Sequence, residues 1–195
     1  MVAQFGTGTI MAGQHGFARN QVWKVEKLDD FTVLCTLSAN EQTLDVWPHK
    51  FVLLYKVSVR RGELETDFRV ENPVDSSGPF SFTALLHTYF AVGHIENVTV
   101  TGLKDTNYLD KLHHGKEKVE TREAATVQEE VDRIYVHVPD SIQLASENGI
   151  VNIGKKGFPD VVFWNPWSEK SKSMADFDDH EVHIMPLAIS LTSTI

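Results

Sequence analysis

Three side chains in this 195-residue chain stand in settings that suit proton transfer or anion binding. His87 lies in the run Pro79-Phe80-Ser81-Phe82-Thr83-Ala84-Leu85-Leu86-His87-Thr88-Tyr89-Phe90, which alternates with period two and predicts a strand. Phe80, Phe82, Ala84, Leu86 and Phe90 fall on one face, and Ser81, Thr83, Leu85, His87 and Tyr89 on the other. An imidazole has an ordinary pKa of about 6.5 and can give or take a proton near neutral pH. The same pattern describes a histidine hydrogen-bonded within a sheet, so the strand alone leaves both readings open. Arg19 closes the segment Gln14-His15-Gly16-Phe17-Ala18-Arg19, where amide, imidazole and guanidinium groups crowd around a glycine. Its planar fork of donors suits a phosphate or carboxylate, or a plain strand-end position. Asp132, in Glu129-Glu130-Val131-Asp132-Arg133-Ile134-Tyr135, could accept a sugar hydroxyl, pair with Arg133 or cap a turn.

Other chemistries find less support. The pairs His113-His114 and His180/His183 have no cysteine beside them, and adjacent residues of a strand point to opposite faces, so no metal site is expected. No glycine loop of the Walker or dinucleotide type is present. Cys35 sits inside an alternating run and makes a poor nucleophile. Trp164-Asn165-Pro166-Trp167 places two indoles around a proline turn, which suits stacking on a sugar or anchoring a core.

These residues need elements to hold them. Alternation over 22–25 and 31–37 predicts short strands. Runs 50–60 and 63–71, joined at Arg61-Gly62, predict a hairpin with Leu64, Thr66, Phe68 and Val70 on its apolar face. Further short strands are expected at 98–101, 133–138, 142–145, 149–153 and 160–164, while the Lys-, Glu- and His-rich segment 107–130 reads as an exposed excursion. No stretch carries a helical apolar stripe over several turns. The pattern predicts an all-β, antiparallel sandwich, and the length fits one domain over 1–195. A net charge of −9 speaks against nucleic acid, and no apolar run approaches the roughly 18 residues that span a bilayer. One cysteine and no visible signal peptide point to the cytoplasm, and a monomer is expected.

Taken in order, Gln14-His15-Gly16-Phe17-Ala18-Arg19, Leu86-His87-Thr88-Tyr89-Phe90, Val131-Asp132-Arg133-Ile134-Tyr135, Val162-Phe163-Trp164-Asn165-Pro166-Trp167 and Met174-Ala175-Asp176-Phe177 resemble the glucose-6-phosphate 1-epimerase (hexose-6-phosphate mutarotase) branch of the aldose 1-epimerase superfamily. The resemblance runs from about Gln4 to about Met185. It implies a galactose mutarotase-like antiparallel β-supersandwich and an isomerase of hexose 6-phosphate anomers that needs no cofactor. By the same resemblance His87 is the catalytic acid, Gln14, Arg19 and Asp132 line the substrate site, and Arg19 binds the phosphate. Two departures accompany it. Ile189 occupies the position where the family carries its base, a glutamate, with Glu181 the nearest other carboxylate considered. The family's terminal strands, and a second phosphate-binding arginine, lie beyond both ends of this chain. A catalytically silent sugar-phosphate binder is therefore the alternative to an active isomerase.

Overall fold

The alternation over 50–71 folds as a hairpin. In the computed structural model, β3 (Val52–Arg60) and β4 (Glu63–Glu71) pair antiparallel, with Leu64, Thr66, Phe68 and Val70 opposite Val59, Val57, Tyr55 and Leu53. Arg61 and Gly62 both take positive φ, 53° and 80°. That is the backbone of a two-residue turn whose twist matches the strands it joins. β1 (Lys24–Asp29) and β2 (Thr32–Ser38) extend the pairing into a four-stranded sheet in the order β1-β2-β3-β4. The structure describes residues 15–76, 78–172 and the backbone of 187–194.

The chain divides into two units, 1–82 and 83–195. In the first, Leu37, Phe51 and Leu53 are buried, and Phe17, Trp47 and Phe80 pack onto them. Phe80 meets Trp47 edge-on at 4.8 Å between ring centroids. It therefore belongs to this core rather than to the strand of His87, which begins only at Thr83. A helix that no apolar stripe announced, α1 (Glu41–Val46), is set by its cap instead. The Asn40 side chain accepts from the Thr43 amide at 3.0 Å, and the Thr43 hydroxyl accepts from the Asn40 amide at 2.8 Å. A helix of six residues is selected by such end contacts, because it is too short for a stripe to register.

The second unit holds two antiparallel sheets among the described residues. One runs β5 (Thr83–Phe90), β14 (Leu187–Thr194), β13 (Asp160–Asn165), β10 (Val131–Tyr135), β7 (Asn107–Asp110) and β8 (Lys116–Val119). The other runs β12 (Gly149–Gly154), β11 (Ser141–Ser146), β6 (Thr99–Thr101) and β9 (Ala124–Thr126). Val131, Tyr135, Val161 and Phe163 from the first sheet share one buried cluster with Val100, Ile142 and Leu144 from the second. That is sheet-on-sheet packing. The antiparallel all-β expectation holds.

The segment 107–130 departs from its reading as an exposed excursion. It contributes β7, β8 and β9, and Tyr108, Asp110, Glu120, Ala125 and Val127 are buried. Its polarity misled because the charges neutralise one another inside the fold. Asp110 accepts from Lys118 at 2.6 Å, and Glu120 takes a two-point contact from the Arg122 guanidinium at 2.8 and 2.6 Å.

Candidate functional site

Strand register decides which side chains share a face. His87 stands across from Ser190, Ser190 from Val162, and Val162 from Ile134. Two positions along, Tyr89, Ala188, Trp164 and Asp132 form the corresponding rung on the same pleat. The rung between them contains Phe163, fully buried in the sandwich core, and Arg133. The His87 pleat is therefore the opposite face of the sheet. It carries an imidazole, a phenol, an indole and a carboxylate across four neighbouring strands. The His87 ring lies 4.6 Å from that of Tyr89 and 6.4 Å, edge-on, from that of Trp164. From β5 to β10 is three strand spacings, roughly 14 Å.

Asp132 projects from β10 and is only 16% exposed. Its partner is Lys111, whose ammonium lies 3.4 Å away, and not the adjacent Arg133. Alternation sends Arg133 to the other face, over the Tyr108 ring at 5.0 Å and 3.8 Å from Glu120. Burial pushes the Asp132 carboxyl above the usual aspartate range, and the nearby Lys111 offsets only part of this. A desolvated carboxylate is, when ionised, suited to accept strong hydrogen bonds from hydroxyl groups.

After β13, Trp167 opens α2 (Trp167–Ser171) with φ 59°, a conformation that a bulky residue rarely adopts, and its side chain packs onto the buried cluster of this unit. The fully buried Asn165 holds it there, its side-chain oxygen accepting the Trp167 amide at 2.9 Å.

Of the residues expected from sequence, His87 and Asp132 thus share one face of one sheet. Arg19 belongs to the first unit, exposed on the short 3-10 turn Ala18–Asn20, which the Trp23 indole fixes by donating to the Ala18 carbonyl at 2.9 Å. It forms no ion pair among the described residues. Gln14, Met174-Ala175-Asp176-Phe177, His180, Glu181, His183 and Met185 lie outside the described residues. Position 189 stands opposite Thr88 and Phe163, one rung away from His87. Sequence reasoning missed Lys111, which lies 21 residues before its partner with no local pattern linking them.

The profile of the aldose 1-epimerase family matches residues 3–189. This chain belongs to the aldose 1-epimerase family. Among its relatives is a protein of Cenchrus ciliaris named "Putative glucose-6-phosphate 1-epimerase", 36% identical over 191 residues, covering 91% of this chain and 57% of that one. The solved structure of "a putative mutarotase" from Salmonella typhimurium superposes with a TM-score of 0.82 at 30% identity, covering 97% of this chain and 63% of that one. A galactose mutarotase related enzyme from Lactobacillus acidophilus shares the fold at 19% identity, with a TM-score of 0.74 over 92% of this chain and 62% of its own. The galactose mutarotase-like fold expected from the sequence is thereby established. The aldose 1-epimerase chain described here spans a little over half the length of the curated relative.

Proposed function

We propose that this aldose 1-epimerase family member interconverts the α and β anomers of a hexose 6-phosphate, glucose 6-phosphate being the expected substrate. The carrying observation is that His87 and Asp132 share one pleat, with Tyr89 beside His87 on β5 and Trp164 on β13 between the strands that hold them. Anomer exchange needs a proton delivered to the ring oxygen while another passes from the anomeric hydroxyl to a base, and with isoleucine at position 189 that acceptor is solvent water. The ring opens, the aldehyde end rotates, and closure occurs on the other face. An imidazole near neutral pH can supply the first proton, a contribution of about 10²–10⁴-fold. In this reading His87 is the acid, Asp132 and Gln14 accept sugar hydroxyls, and Arg19 binds the phosphate. The chemistry calls for no metal or organic cofactor, and the setting of this reading is the cytoplasm, with the chain acting as a monomer.

The test is exchange spectroscopy of glucose 6-phosphate anomers with the purified chain and with His87→Ala. Exchange should exceed buffer and fall at least a hundredfold in the variant. Equal rates in both, matching buffer, would remove catalysis from the account.

The second reading, a silent sugar-phosphate binder, is favoured by isoleucine at position 189, where the family resemblance places the base. Calorimetric titration then separates the two. Binding that weakens in Arg19→Ala, without exchange above buffer, supports the binder, and no heat with any hexose phosphate sinks both readings.

A further inference from the structure

We propose that Lys111 is a positioning residue of the sugar face: it holds Asp132 as an oriented carboxylate ready to accept sugar hydroxyls. The substrate part of this inference rests on the hexose phosphate reading above, whereas the control of Asp132 by Lys111 does not.

The geometry is built rather than incidental. Lys111 opens the 3-10 turn Lys111–His113, directly after β7. That turn is anchored by Asp110, just 3% exposed, whose carboxylate accepts from His113 Nδ1 within the turn at 2.9 Å and from Lys118 on β8 at 2.6 Å. The Asp110 carbonyl also accepts the Gly115 amide at 2.8 Å, closing the turn through His114 in the left-handed region. With its base so fixed, the Lys111 side chain, only 25% exposed, reaches across to β10 and stops with its ammonium 3.4 Å from Asp132. A surface lysine drifts in solvent and contributes little. This one is withdrawn from water beside a carboxylate that burial already disfavours in its charged form.

Among the described residues, the charged groups that act most strongly on Asp132 are Lys111 from the turn, Lys170 from α2 and Glu130 just before β10. Lys170 is paired to Glu130, so these two largely cancel at Asp132. Among the described residues, Lys111 is then the cation that favours the charged form of Asp132 against burial and aims its oxygens. A neutral Asp132 would donate one proton and accept less strongly, which suits a sugar hydroxyl less well than a carboxylate does.

The experiment reads Asp132 and the ligand separately. In the ligand-free chain, carboxyl ¹³C resonances are followed against pH for wild type, Lys111→Met and Lys111→Arg. The Asp132 midpoint should move up in Lys111→Met and return in Lys111→Arg. An unmoved midpoint in a folded Lys111→Met overturns the proposal; should that variant not fold, Lys111→Gln replaces it and is read the same way. Calorimetric titrations with glucose 6-phosphate and with glucose across pH then test the consequence. Lys111→Met should weaken both sugars by about tenfold at neutral pH, and binding should be lost on acidification at a higher pH than in wild type. Loss confined to glucose 6-phosphate would make Lys111 a phosphate contact and overturn the positioning role. A purely structural role would lower thermal stability with the pH profile of binding unmoved. If wild type binds neither sugar, the hexose phosphate reading fails, and the carbon resonances still decide whether Lys111 controls Asp132.

Discussion

Asp132 and Glu120 are both buried carboxylates close to basic groups, yet their surroundings push them in opposite directions. Around Glu120, burial raises the pKa, but contacts from Arg122 and Tyr135 outweigh it and bring the group down to about 2. Around Asp132, burial wins over Lys111 and the pKa rises. A group raised in the folded state binds its proton more tightly there than when unfolded, so ionising it costs stability. The cost is absent below the unfolded value of 3.8 and grows as pH rises through the raised folded one. Asp132→Asn should therefore be more resistant to urea than wild type at pH 7 and indistinguishable from it at pH 3. The same variant should lose sugar-phosphate affinity by tenfold or more, since a hydrogen bond to a charged group is worth about 1.5–3 kcal/mol. Destabilisation at pH 7 would mean that Asp132 serves the fold and not the face. Stability traded for a usable charge is what separates the two carboxylates.

At the scale of elements, Glu120 shows how a charged stretch becomes interior structure. Its side chain follows β8 and accepts from Tyr135 on β10 at 2.9 Å as well as from Arg122. Its folded value of about 2 lies below the model-peptide value of 4.5, so the stabilisation is fully present above pH 4.5 and lost as pH falls toward 2. That interval corresponds to about 3 kcal/mol. Glu120→Gln should lose on that order in chemical denaturation at pH 7, with the gap to wild type closing toward pH 2. A gap that persists unchanged at low pH would assign the loss to packing rather than charge. Composition could not reveal this network, because Tyr135 meets Glu120 only once β7 has paired with both β8 and β10. The hairpin of β3 and β4 was legible for the converse reason. Its alternation and its Arg61-Gly62 turn are both local, and local rules set register.

For the whole molecule, the two units differ in the cores that hold them. Among the described residues, the first buries Leu37, Phe51 and Leu53, while fifteen buried apolar residues form one cluster in the second. Apolar burial contributes about 25 cal/mol per Å², so the second unit should open less readily. Native-state hydrogen exchange should accordingly show slower amides in β10, β11 and β13 than in β2 and β3. Equal protection in both sets would contradict this ranking and indicate that the chain opens as one cooperative body.

The sequence alone determined the all-β antiparallel class and the hairpin, because alternation is a local property. It overextended the strand of His87, whose hydrophobic lead-in, Phe80, joins Trp47 in another core. It also mistook 107–130 for an excursion. Only the tertiary structure decided which residues share a pleat with His87, since register depends on pairing between strands far apart in the chain. It also supplied Asp132 with Lys111 rather than its neighbour Arg133. In a strand, successive side chains leave opposite faces, so the nearest charge in sequence is the one least able to reach.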